Sequence, residues 1–151
     1  MSKITTVYDE LLTVLSTIFP EKTRIFHAYS LEDNPEHNLR DGYGLIKGST
    51  DRVESEFKSF TDSHGFEVIL TREVLRLESD VDPVDDVHRS LIEDAFELRE
   101  RIYRYDKLGL QTEIENTEIL TVSGVSLFLA NKSKFVSISI AFNILINENF
   151  N

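Results

Sequence analysis

The stretch SKFVSISIAFNILINENFN, residues 133–151, constrains the fold more than any other part of the chain. Ile138, Ile140, Phe142, Ile144 and Ile146 fall on every second position, with Phe135 ahead of them and Val136 and Leu145 interrupting the rhythm. Strict alternation is the period of a β-strand with one buried and one less buried face. A strand this long, with apolar residues on parts of both faces, needs a sheet beside it and cover on more than one side.

The residues before it supply those elements. ITTVYDELLTVLSTIF (4–19) repeats Val7, Leu11, Leu12, Leu15, Ile18 and Phe19 at three- and four-residue steps, and Pro20 stops it, which predicts an amphipathic helix. RIFHAYS (24–30) reads as a short strand, LEDNPEHNLRDG (31–42) as an exposed loop, and YGLIKGS (43–49) as a second short strand whose glycines weaken it or mark a bulge. In 50–65, Val53, Phe57 and Phe60 fit a helical face while the surrounding polarity fits a mobile loop, and the pattern leaves both open. FEVILTREVLRLES (66–79) is a strong strand with Phe66, Val68 and Leu70 on one side and a phase change near Thr71.

A long helix follows. Asp82 is its expected N-cap, Pro83 its first residue, Asp85 and Asp86 its acidic first turn and Gly109 its C-terminal cap. Val84, Val87, Leu91, Ala95, Leu98 and Ile102 form the apolar stripe, widened by Phe96 and Tyr103, while Arg99, Arg101 and Arg104 complement the dipole near its end. Residues 112–130, a turn at 131–134 and the closing strand make a long hairpin. This order predicts a single α+β domain over 1–151: a mostly antiparallel sheet with a long C-terminal β-hairpin, packed on one face by two helices.

Charge and composition exclude several classes. With 16 basic and 27 acidic residues the chain carries a formal −11, a surface that repels nucleic-acid phosphates and argues against sequence-reading of DNA. Absence of cysteine removes disulfides, thiolate zinc sites and a cysteine nucleophile. The first residues lack a signal-peptide pattern, and no run has the length of a membrane span.

Motifs for chemistry are also missing. His27, His37, His64 and His88 have no metal-ligand spacing; His27 is expected in a strand and the other three at the surface. The acidic run ESDVDPVDD (78–86) lacks the central glycine and terminal glutamate of a calcium loop and reads as an acidic helix start. RDGYGLIKGST (40–50) does not match a phosphate loop, and NKS (131–133) is a glycosylation acceptor with no secretory route to use it. The expectation is therefore a protein that is not an enzyme, with no cofactor and no metal, acting through surfaces. The best candidates for those surfaces are Asp33, Asn34, Glu36, His37, Arg40 and Asp41 in the loop, and Asn131 and Lys132 at the hairpin tip.

The helix YDELLTVLSTIFP, the passage VLRLESDVDPVDDVHRSLIEDAFELRERIY and the closing FVSISIAFNILINEN together resemble the tail terminator, or tail completion, proteins of long-tailed bacteriophages, the family of the lambda minor tail protein U. The likeness lies in the order of elements over most of the chain. It implies a homohexameric ring in the virion, at the head-proximal end of the tail and assembled in the host cytoplasm. Such a ring caps the tail tube protein, ends its polymerisation and meets a head connector or completion protein, while DNA passes without sequence-specific binding. Six copies at −11 give a formal −66, suited to a channel that must not grip DNA. Two alternatives stand beside it: another neck or tube ring component, such as a head completion protein, and a small acidic ligand-binding or enzyme domain with a pocket between sheet and long helix.

Overall fold

The computed structural model describes residues 2–74, 83–104 and 110–149. In order they form α1 (Lys3–Ile18), β1 (Thr23–Arg24), a 3-10 turn (Leu31–Asp33), α2 (Glu36–Leu39), β2 (Asp41–Glu56), β3 (Ser59–Glu73), α3 (Pro83–Arg104), β4 (Asn116–Val122), β5 (Ser126–Ala130) and β6 (Ser133–Asn149). The strand order is β1-β2-β3-β6-β4, with β5 also paired to β6; every pairing is antiparallel except β1 with β2. This is the expected α+β fold, with α1 and α3 on one face of the sheet.

Alternation decides which face is buried. Along β6, Ile138, Ile140, Phe142, Ile144 and Ile146 are all buried, and across the ladder they meet Leu70, Val68, Phe66, His64 and Asp62 of β3. Tyr43 and Leu45 of β2 continue this front face, opposite Leu70 and Val68. Onto it α1 lays Val7, Leu11 and Leu15, and α3 lays Leu91, Ala95, Leu98 and Ile102. The Ser2 hydroxyl caps α1 by accepting from the Thr5 N–H, at 3.3 Å, and Phe19 ends that helix before Pro20. Of the expected α3 stripe, Val87 packs partly against the core, but Phe96 is exposed, its ring under the Arg99 guanidinium. Asp82, Gly109 and the side chains of Val84, Tyr103 and Arg104 lie outside the described residues, as does the acidic run before Pro83.

The back face departs from expectation. Residues 24–30 do not form a strand: only Thr23 and Arg24 pair, with Gly42 and Tyr43, and the chain then turns. Nor is 31–42 an exposed loop, because Asn34 and Leu39 are buried and Asp41 already belongs to β2. The reason is the Asn34 carboxamide. It accepts from the His27 N–H and donates to the carbonyls of His27, Ser30 and Leu31, satisfying the turn internally so that it can fold onto the sheet. Ile25, Ala28 and Leu39 then pack with Ala130 and Phe135 in a second, smaller core behind the sheet. Gly42 and Gly44 permit that approach, since a Cβ at Gly42 would lie 2.3 Å from the Asn38 carbonyl oxygen and one at Gly44 2.6 Å from the Ala28 methyl.

Segment 50–65 is neither helix nor loop. β2 and β3 run on as a hairpin with a two-residue turn, Phe57-Lys58, between paired Glu56 and Ser59. The ladder is irregular between Lys47 and Thr50 and between Arg52 and Glu54, so the bulge read near the β2 glycines is present. At the other end of β6 the tip is also a two-residue turn, Asn131-Lys132, both at positive φ, and the strand resumes at Ser133 rather than after 134. Residues 112–130 split into β4 and β5 around Gly124, with the Ser123 hydroxyl accepting from the Ser139 N–H at 2.9 Å.

The close approach behind β2 sets a prediction. Gly42→Ala should lower unfolding stability by about 2 kcal/mol through overpacking, whereas Gly124→Ala, with nothing within 4 Å of the new Cβ, should stay within about 0.5 kcal/mol. Urea denaturation of both variants measures the difference.

Candidate interaction surfaces

Buried polar chemistry is concentrated in two places. At the first, the Lys22 ammonium, its side chain 2% exposed, lies 2.5 Å from Asp41 and 2.9 Å from Asp94. The Arg72 guanidinium reaches the same two carboxylates at 3.3 and 3.4 Å and also bonds the Ser90 hydroxyl. Two cations and two anions thus balance where the end of α1, β2, β3 and α3 converge. Removing charges from water is offset only by complete pairing, so this cluster fixes one arrangement of those elements.

At the second, His64 is buried on the front of β3, against expectation, with Nδ1 2.9 Å from the Thr50 hydroxyl. Burial of the ring and the nearby Lys47 ammonium hold its pKa below 6.5, partly opposed by the Asp62 carboxylate. Burial also lowers the Lys47 pKa; its ammonium donates to the Gly48 carbonyl and the Thr50 hydroxyl. Asp62 is held by the Arg52 guanidinium at 2.6 Å, which itself lies over the Phe60 ring. The polar residues at the base of the β2–β3 arm therefore satisfy one another. His27, His37 and His88 are exposed, and His27 sits in the turn rather than in a strand. Among the described residues, no group of three or more His, Asp or Glu side chains is placed to hold a metal ion.

The residues expected to form an interface separate into two kinds. Asn34 is buried, and Asp41, its side chain 38% exposed, is held in the cluster with Lys22 and Arg72. Arg40 pairs with Glu73 at 3.2 Å. Asp33 accepts from the Ser30 hydroxyl and is exposed, as is His37. Glu36 accepts from the Ser133 hydroxyl at 3.1 Å, which brings the α2 segment against the Asn131-Lys132 turn. The two stretches, about a hundred residues apart in sequence, thus form one end of the molecule. On that end the front of β5 exposes Leu127, 57%, and Leu129, 63%.

The opposite end carries Val53 and Phe57, which fitted a helical face in the sequence and were not among the expected interface residues. Beyond the helices, β2, β3 and the last residues of β6 extend as a three-stranded arm, with Phe57 at its tip 90% exposed and Val53 exposed beside it. Behind the arm is a polar cleft of about 80 Å³ lined by Glu54, Glu56, Ser59, Phe60, Thr61 and Asn147. That is well short of the roughly 300 Å³ at which small-molecule pockets begin. The turn signal was hidden because Phe-Lys stands where Asn-Gly ordinarily marks a two-residue hairpin.

No protein-family model matches the chain, and comparison with curated proteins likewise finds no match.

Two outcomes test the buried chemistry. Lys22→Met leaves Asp41 and Asp94 to Arg72 alone and should cost about 2 kcal/mol, below the ~3–5 of a fully enclosed pair because Asp41 is partly solvated. For His64, the folded state holds the neutral ring while the unfolded chain protonates near 6.5. Its contribution is whole above that pH and is lost as pH falls from there towards the depressed folded value. Denaturation midpoints between pH 7.5 and 5 should fall for the native chain and fall less for His64→Gln.

Proposed function

We propose that this chain is a structural subunit of a ring that caps the tail tube of a long-tailed bacteriophage, ends tube polymerisation and provides the interface to the head connector, with DNA passing through. Its work is then assembly rather than catalysis, in the virion at the head-proximal end of the tail. One observation carries this reading: the single chain exposes apolar side chains on sheet extensions at both ends, Phe57 and Val53 on the arm and Leu127 and Leu129 on β5. Surfaces of that kind belong to a molecule that is completed by neighbours. The net charge of −11 supports it further, because carboxylates around a channel repel the phosphates that must slide through.

A neck or head-completion ring shares this physics and differs in symmetry and partner. The test is native mass across a wide range of concentration and salt, with electron micrographs of the largest species. An annular species near 104 kDa, six times 17.4 kDa, is the expected result. A closed ring of another number favours the neck component, and a monomer at every concentration counts against ring assembly altogether.

A further inference from the structure

We propose that neighbouring copies of this chain join head to tail, the Phe57 arm of one docking on the Leu127–Leu129 strip of the next, with Glu54 and Glu56 facing Lys132 and Lys134. This rests on the reading of the chain as a ring subunit and specifies the contact from which the ring is built.

The arm tip is the first observation. Its turn places Lys58 at φ 62, a left-handed conformation that glycine or asparagine adopts more readily. Phe57 beside it is 90% exposed, the most solvent-facing large apolar residue described. Local turn chemistry explains neither choice, whereas an aromatic anchor for a partner's surface explains Phe57.

The second is the receiving strip. Leu127 and Leu129 stand on the front of β5, opposite Val136 and Lys134 of β6, and neither helix covers them. Lys134 and the turn residue Lys132 border the strip, and among the described residues neither enters an ion pair. Glu54 and Glu56 on the arm likewise enter no ion pair among the described residues, and they line its polar cleft, which has room for an ammonium group but not for a metabolite. An apolar anchor flanked by free carboxylates thus has its complement in an apolar strip flanked by free ammonium groups.

The third is placement. Leu129 pairs with Lys134 near the start of β6, and the arm's Ser59 pairs with Asn149 at its end. At ~3.3 Å per residue the two surfaces lie about 50 Å apart along one strand. They cannot meet within a chain, so a contact between them is one between two copies. A contact between two different patches is heterologous and generates either a closed ring or an open filament.

Because the chain has no cysteine, paired thiols report the contact cleanly at two exposed positions. Lys58→Cys and Leu127→Cys chains, which keep the Phe57 anchor and Leu129, mixed in equal amounts and gently oxidised, should give disulfide-linked unlike dimers well above the half share that random collision yields. Like dimers at the random share, or no dimer, overturn the contact. The double variant, with both thiols on one chain, should give a ladder that ends at a closed six-chain species. A closed species of another number, or an open-ended ladder, keeps the contact and removes the hexamer. A native hexamer with no linkage between positions 58 and 127 removes the contact and keeps the ring, and a monomer with no linkage removes both. Independently, Glu54→Lys with Glu56→Lys should weaken association about tenfold, and adding Lys132→Glu with Lys134→Glu should restore it; failure of that restoration also overturns the pairing.

Discussion

The long antiparallel ladder between β3 and β6, from Ser59 opposite Asn149 to Glu73 opposite Phe135, is the constraint on which the rest of the structure depends. A strand pair of this length fixes register over its whole span, because a slip of one residue would turn Ile138, Ile140, Phe142, Ile144 and Ile146 out of the core. With the register set, the front face is defined, α1 and α3 have a single apolar surface to cover, and β2, β4 and β5 can add only at the edges. The ladder is also longer than the helices that cover it. Its surplus at one end becomes the arm.

The two faces are buried by different means. The front relies on large side chains, with Phe66 and Phe142 stacked across the ladder. The back relies on close backbone approach, where Gly42 and Gly44 admit the turn that the Asn34 carboxamide holds together. The charged cluster of Lys22, Arg72, Asp41 and Asp94 joins the front helices to the sheet edge near that turn. Two cations and two anions cancel there, so the cluster is neutral and the formal −11 is carried by the rest of the chain.

Much of this was legible from residue order. The helical spacing of Val7, Leu11 and Leu15, the stripe through Leu91, Ala95 and Leu98 and the alternation in β6 each reported a local period that the tertiary structure then used. Other parts were hidden for physical reasons. Ile25 and Ala28 looked like a strand because they are buried, but an asparagine six residues beyond Ala28 replaces ladder hydrogen bonds with side-chain ones. Residues 50–65 looked like helix or loop because 50–58 meet solvent on both faces and the buried positions beyond them are polar, Asp62 and His64, which erases the apolar alternation by which strands are recognised. Of the residues first expected at a surface, Asn34 and Asp41 owe their polarity to internal bonding; Asn131 and Lys132 are exposed in the turn. Phe57 carried a misleading signal, since its spacing from Val53 and Phe60 fits a helical face while the residue stands at a hairpin turn.

The β6 strand also has a mechanical meaning. Its two ends lie at the two extremities of the molecule, and between them it is hydrogen-bonded to β3 along almost its full length. A pull applied between the arm tip and the Asn131-Lys132 turn therefore runs parallel to the strands. Every hydrogen bond of the ladder then shares the force in shear, and none is peeled open ahead of the others. Tension across the molecule would tighten the demand on the whole sheet at once, giving it stiffness along the one axis that spans it from end to end.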